Sequence, residues 1–117
     1  MDSKNIFIVC GRKLRQVVWI NKEGEESEYR YIGVGSLFET RTADEIIKAN
    51  FKDGTIFLVV DRHESREIST LDAVNEVQRL TENHEIVLTN INFENFIHFN
   101  RVGTYRIGFY RKGVRDV

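Results

Sequence analysis

Two uninterrupted apolar runs, two segments of helical periodicity and an alternating tail predict an α+β fold for this chain of 117 residues. The expected architecture is a single mixed β-sheet of about six strands, in the order β-β-β-α-β-α-β-β-β, with two helices packed on it. The run 56–60 (IFLVV) has the pattern of a strand buried on both faces, and 85–89 (EIVLT), apolar at its centre, predicts another buried strand.

Taken in order, residues 4–10 (KNIFIVC) are rich in β-branched and aromatic side chains and predict a buried strand. Gly11-Arg12-Lys13 predicts a turn, and 14–20 (LRQVVWI) a returning strand, so that the two form a hairpin. An acidic stretch around Gly24 leads to a third strand over 28–34, where Tyr29 and Tyr31 alternate with Arg30 and Ile32. The first helix starts at Thr42. Its hydroxyl and the Glu45 carboxylate have the spacing of a capping box, and Asp44 and Glu45 suit the positive end of the helix dipole. Ala43, Ile46, Ile47 and Phe51 supply an apolar side, and Gly54 a stop. After strand 56–60, Ser69 caps a second helix over 71–81, in which Leu71, Val74, Val77 and Leu80 recur every three residues. The unit 55–89 then reads as strand–helix–strand, expected as a right-handed crossover between parallel strands. In the tail, Ile91, Phe93, Ile97 and Phe99 share parity, as do Tyr105, Ile107 and Phe109. A hairpin turn at 101–103 separates the two groups.

A chain of this length, 41% hydrophobic and 30% charged, is expected to fold as one domain, 1–117. No apolar run approaches the ~18 residues that span a bilayer, and the short run after Asn5 is too brief for a secretory signal. One cysteine, Cys10, excludes an internal disulfide and any multi-cysteine zinc site. The expectation is a cytoplasmic protein with no membrane partner. Its net charge of −1 hides a pattern. Residues 1–20 carry Lys4, Arg12, Lys13 and Arg15 against Asp2, and residues 97–117 carry Arg101, Arg106, Arg111, Lys112 and Arg115 against Asp116. The middle of the chain is strongly acidic. Basic ends and an acidic middle polarise the surface if the two ends meet in the fold.

Residues 61–67 (DRHESRE) hold six titratable side chains in seven positions, just after a strand expected to be central. Ligands bind at the carboxyl ends of strands in open α/β sheets, so Asp61, His63 and Glu64 are the candidate catalytic set. Asp61 and Glu64 would hold a divalent metal, or His63 would act as a general base. The same residues also suit a solvated connection whose acids are neutralised by Arg62 and Arg66. No HExxH or Glu-x-Lys spacing completes a metal site, and no resident metal or cofactor is expected. His63, His84 and His98 are not brought together by any spacing, and Cys10 reads as inert packing. Gly33-Val34-Gly35-Ser36 lacks the third glycine and the immediate helix of a phosphate loop.

Two surfaces remain. The tail interleaves Arg101, Arg106, Arg111 and Lys112 with Tyr105 and Tyr110, a pattern that binds phosphates and stacks bases, or else an edge hairpin protected by charge. Glu25, Glu26 and Glu28, with Asp53, Asp61, Glu64 and Glu67, form an acidic set suited to fast docking on a basic partner. The leading expectation is a small non-catalytic binding protein that neutralises a macromolecular partner, such as a basic toxin or nuclease, in the manner of immunity proteins, antitoxins and anti-defence inhibitors. The alternatives are a metal-dependent nuclease or phosphodiesterase centred on Asp61-His63-Glu64, and a nucleic-acid-binding module using the tail. An open edge strand would also let two copies pair into a homodimer.

Overall fold

The computed structural model describes residues 1–20 and 29–111. The expected α+β fold is present: three helices and a single sheet of seven short strands. Helix α1 is Ser3–Leu14, and β1 is Val17–Trp19. Beyond the undescribed segment, β2 (Arg30–Tyr31) leads through a one-turn 3-10 helix, Gly35–Leu37, into α2 (Thr40–Asn50). Strands β3 (Thr55–Val59) and β4 (Arg66–Ser69) precede a second 3-10 turn and α3 (Ala73–Leu80). The chain then continues through β5 (Ile86–Asn90), β6 (Asn95–Phe99) and β7 (Thr104–Tyr110).

Every strand pair is antiparallel, and the spatial order is β1-β7-β6-β5-β3-β4, with β2 beside β1 on the outer edge of β7. As the apolar runs predict, β3 and β5 lie inside the sheet and are buried on both faces. Ile56, Leu58, Ile86 and Leu88 pack under α2 and α3 with Ile47, Val77 and Leu80. Phe57, Val59 and Val87 point the other way and pack with Phe96 under Ile6 and Cys10 of α1. One face therefore carries two helices and the other carries one.

Four expectations change. Residues 4–10 are helical rather than a strand, so the first hairpin does not form. The Asp2 carboxylate accepts from the Asn5 N–H at 2.9 Å and caps the helix, and Arg12 and Lys13 lie in its last turn where the dipole favours cations. Ile6 and Cys10, one turn apart, are its buried stripe; sheet packing overrides the β-propensity of Ile6, Phe7, Ile8 and Val9. The third strand shrinks to Arg30–Tyr31. Helix α2 begins two residues before Thr42, after Glu39 and without a side-chain cap bond; Glu45 faces Arg41 instead of closing a capping box. The crossover over 55–89 is absent. Residues 66–69 return as β4 against β3, and β5 runs antiparallel to β3.

Finer features follow the sequence. The Ser69 hydroxyl accepts from the Leu71 N–H at 3.2 Å, although it caps the 3-10 turn that precedes α3 and leaves Leu71 exposed. The hairpin at 101–103 joins β6 to β7, with Gly103 at φ 93°, a conformation that glycine adopts without strain.

Two glycines make opposite predictions. A Cβ on Gly108 would lie 2.8 Å from the Val18 carbonyl oxygen and 2.7 Å from the Trp19 ring, so Gly108→Ala should destabilise the protein by roughly 1–3 kcal/mol. A Cβ on Gly11, inside α1, meets nothing within 4 Å, so Gly11→Ala should stabilise it by about 1 kcal/mol through helix propensity. Urea unfolding midpoints measure both signs.

Candidate functional site

Residues 61–65 of the 61–67 stretch lie in the β3–β4 hairpin connection and the last two open β4, and polar groups hold the turn in shape. Asp61 Oδ1 accepts from the backbone N–H groups of His63 (2.8 Å) and Glu64 (2.9 Å), and these two bonds hold the carboxyl below its usual range. The Ser65 hydroxyl donates to the Asp61 carbonyl at 2.6 Å and accepts from the Val60 N–H at 3.1 Å. The Ser3 hydroxyl, at the start of α1, donates to the Arg62 carbonyl (2.8 Å) and accepts from the Ser65 N–H (2.9 Å). The Arg66 guanidinium donates to the Glu64 carbonyl of the turn at 3.3 Å and to Glu76 at 2.6 Å, and Glu76 also holds Arg79 at 2.7 Å. His63 and Glu64 are exposed. The charges of His63 and His84 both act on Asp61, while His98 stands apart on β6. Among the described residues, no three His, Cys, Asp or Glu side chains converge to hold a metal ion.

The acidic set falls along one edge. Asp53 precedes β3, Asp61 and Glu64 occupy the turn at its other end, and Glu67 lies midway on β4, which pairs only with β3 among the described strands. Glu25, Glu26 and Glu28 lie outside the described residues. The tail set divides between faces. Tyr105 is buried on the α2–α3 side, 6.2 Å from the Phe99 ring. Arg106 and Tyr110 have the opposite parity and face the α1 side, and Arg101 is in the β6–β7 turn. Arg111 follows β7 and donates its N–H to the Gln16 carbonyl at 3.2 Å; Lys112 lies outside the described residues. The two basic ends of the chain do meet: β1 pairs with β7, and the Lys13 ammonium sits 4.2 Å over the Tyr110 ring. From β7 to β4 the sheet spans four strand spacings, about 19 Å, with the basic chain ends at one side and the acidic set, interspersed with Arg62 and Arg66, at the other.

A cleft of about 310 Å³ opens where α1 covers the sheet incompletely. Phe7, Cys10 and Leu14 form its helix wall, Val59 and Val87 its apolar floor, and Trp19, Glu85, His98 and Arg106 its polar end. His98 and Arg106 are cross-strand partners on β6 and β7. The Arg106 Nε–H donates to His98 Nδ1 at 3.1 Å, and His98 Nε2 lies 3.5 Å from a Glu85 carboxylate oxygen. This arrangement assigns the proton of the neutral imidazole to Nε2. Burial, and then the Arg106 charge, lower the His98 pKa from its ordinary 6.5, against a smaller opposing pull from Glu85. The Arg106 guanidinium stacks 3.8 Å from the Trp19 ring centre and 4.8 Å from that of Tyr29. Burial pushes the Cys10 thiol up to about 12, so it stays protonated and unreactive at neutral pH.

Sequence reasoning missed this cleft, whose members come from six separate segments. One signal was present: His98 and Arg106 stand four residues to either side of Val102, so a hairpin turning there makes them neighbours. Comparison of the chain with protein-family models, with curated proteins and with solved structures found no match.

The lowered His98 pKa means that the unfolded chain binds the proton more readily than the folded one. The stability that neutral His98 contributes is therefore complete above pH 6.5 and is lost as pH falls from there through the folded-state value. Protonated His98 loses its bond from Arg106 and repels it, which loosens the stack on Trp19. Trp19 is the only tryptophan, so its emission should change on acidification below 6.5, and this transition should vanish in His98→Gln.

Proposed function

We propose that this protein is a small non-catalytic binding protein that docks on a basic macromolecular partner and neutralises it, as immunity proteins, antitoxins and anti-defence inhibitors do. The observation that carries this reading is the gathering of Asp53, Asp61, Glu64 and Glu67 along the β3–β4 hairpin, at the edge of the sheet farthest from the basic chain ends, where Arg66 is taken up by Glu76. The ladder adds to it. Thr70 donates to the Gly54 carbonyl, so residues 66, 68 and 70 turn their backbone groups toward β3, and those of Glu67 and Ser69 face outward. An edge with outward backbone groups and carboxylates suits an extended basic segment, with charge steering the encounter. Several groups that would serve catalysis are engaged in holding structure: Asp61 binds two amides, His98 lies between Arg106 and Glu85, and Cys10 keeps its proton, while His63 and Glu64 stay exposed.

The test is affinity capture from an extract of the source organism with the wild type and with a Glu64→Lys, Glu67→Lys double variant. A basic protein should be captured by the wild type alone, with association slowed about tenfold or more in the variant and by added salt. Equal capture by both proteins, or a hydrolytic activity on nucleic acid abolished by His63→Ala, overturns the reading.

A second reading, a nucleic-acid-binding module, draws on the meeting of the basic ends, which brings Lys13 and the neighbouring Arg12 and Arg15 to Tyr110 and Arg111. It predicts that a labelled single-stranded oligonucleotide binds with an affinity that falls steeply with salt and further in an Arg15→Glu, Arg111→Glu variant. Binding that is absent or indifferent to salt removes it.

A further inference from the structure

The ladder uses only one side of β4. The register with β3, and the Thr70 N–H bond to the Gly54 carbonyl, turn residues 66, 68 and 70 inward. The N–H groups of Glu67 and Ser69 and the Glu67 carbonyl therefore point away from the sheet, and no described strand lies on that side. A shallow groove of about 430 Å³ runs along this edge, between β4 and the side chains of Asp72, Asn75 and Glu76 at the start of α3.

The charges along the groove are sorted. Arg66 and Arg79 both close on Glu76. Asp72 stands at the N-cap of α3 without making a cap bond, and neither it nor Glu67 has a cation partner among the described residues. These two carboxylates serve opposite faces of the sheet. Glu67 stands across from Phe57 and shares its α1 side, whereas Ile68 and the α3 wall of the groove lie on the α2–α3 side. Successive side chains of an extended segment also alternate between faces, so an added strand meets both acids only with cations at adjacent positions. Resting on the docking reading above, we propose that the β4 edge takes up an extended segment of the basic partner as an added strand. Two adjacent arginines or lysines identify the segment. One reaches Glu67; the other lays its apolar stem beside Ile68 and its charge toward Asp72. Two β4 edges paired about a twofold would set the same acids against each other, which disfavours a second copy as the occupant.

Ser69 separates the ladder from the charge. Its φ is −68°, the angle that proline fixes, and its N–H faces outward. Ser69→Pro thus removes a donor to the partner while every ladder bond to β3 and every charge stays in place. Ser69→Ala is its control, because both variants lose the hydroxyl that accepts from the Leu71 N–H and only one loses the backbone donor.

The probe is the capped peptide TVRRVT, titrated into the isotope-labelled protein and followed by amide resonances. The amide protons of Glu67 and Ser69 should move downfield and exchange at least about tenfold more slowly, while those of Ile68 and Thr70, already bonded within the sheet, should not. Ser69→Pro should bind the peptide at least about tenfold more weakly than Ser69→Ala. The wild type should show the same loss toward the peptide N-methylated at both arginines, a comparison that needs no variant to fold. TVRVRT, with both cations on one face, should also bind more weakly. Equal binding by Ser69→Pro and Ser69→Ala, equal binding of the methylated peptide, or no peptide binding at millimolar concentration overturns the added strand. If Glu64→Lys, Glu67→Lys still slows association with the captured basic partner, docking by charge stands and the strand alone falls. Exchange at Glu67 and Ser69 that slows with protein concentration in the absence of peptide assigns the edge to a second copy, which overturns the proposal as well.

Discussion

Strands β3 and β5 bury side chains on both of their faces, and the rest of the molecule answers that constraint. Neither face of this pair can be left to water, because Phe57, Val59 and Val87 on one side are as apolar as Ile56, Leu58 and Leu88 on the other. Helices α2 and α3 cover one side together. Among the described residues the only helix on the other side is α1, and one helix about 10 Å wide cannot roof a sheet that two helices roof opposite. The cleft at His98 and Arg106 is what the described residues leave uncovered.

The same constraint divides what was legible from what was not. Residues 56–60 and 85–89 read as central strands because burial on both faces removes alternation, and the hairpin at 101–103 showed in the parity of Ile97, Phe99, Tyr105 and Ile107. The helix near 71–81 showed in Val74, Val77 and Leu80. Strand β4 was hidden because an edge strand buries little: of Arg66–Ser69, only Ile68 goes inside. With β4 overlooked, the β3–β4 connection looked like the entry to a helix and its acids like a ligand-binding loop. Helix α1 was hidden by a conflict between local preference and global need, since Ile6, Phe7, Ile8 and Val9 favour a strand while the sheet needs a helix above Phe57 and Phe96. Asp2 as a cap and the four-residue spacing of Ile6, Cys10 and Leu14 were the available signs.

Charge tells a similar story. Counting along the chain separates basic ends from an acidic middle, but composition does not say whether that separation survives folding. The basic ends do meet, because β7 carries β1 on its outer edge, and the acids of the β3–β4 hairpin lie on the far side with Arg62 and Arg66 among them. The acids of the 61–67 stretch then have two kinds of role: Asp61 shapes the turn, and Glu64 and Glu67 remain on the surface. Histidines divide likewise, with His63 exposed and His98 held in a tautomer by its neighbours.

The tie between Ser3 and the β3–β4 turn sets an order of assembly. Its two bonds join residues 59 and 62 positions apart, and β1 waits for β7, about 90 positions further along. Residues 1–20 leave the ribosome before any strand they dock on has been made. Throughout that interval Ile6, Phe7, Ile8 and Val9 are free to follow their preference for extended structure, and loop-closure entropy delays their capture. This segment is made before the strands that hold it and is captured after them, and until then the residues whose final form is helical keep their preference for extended structure.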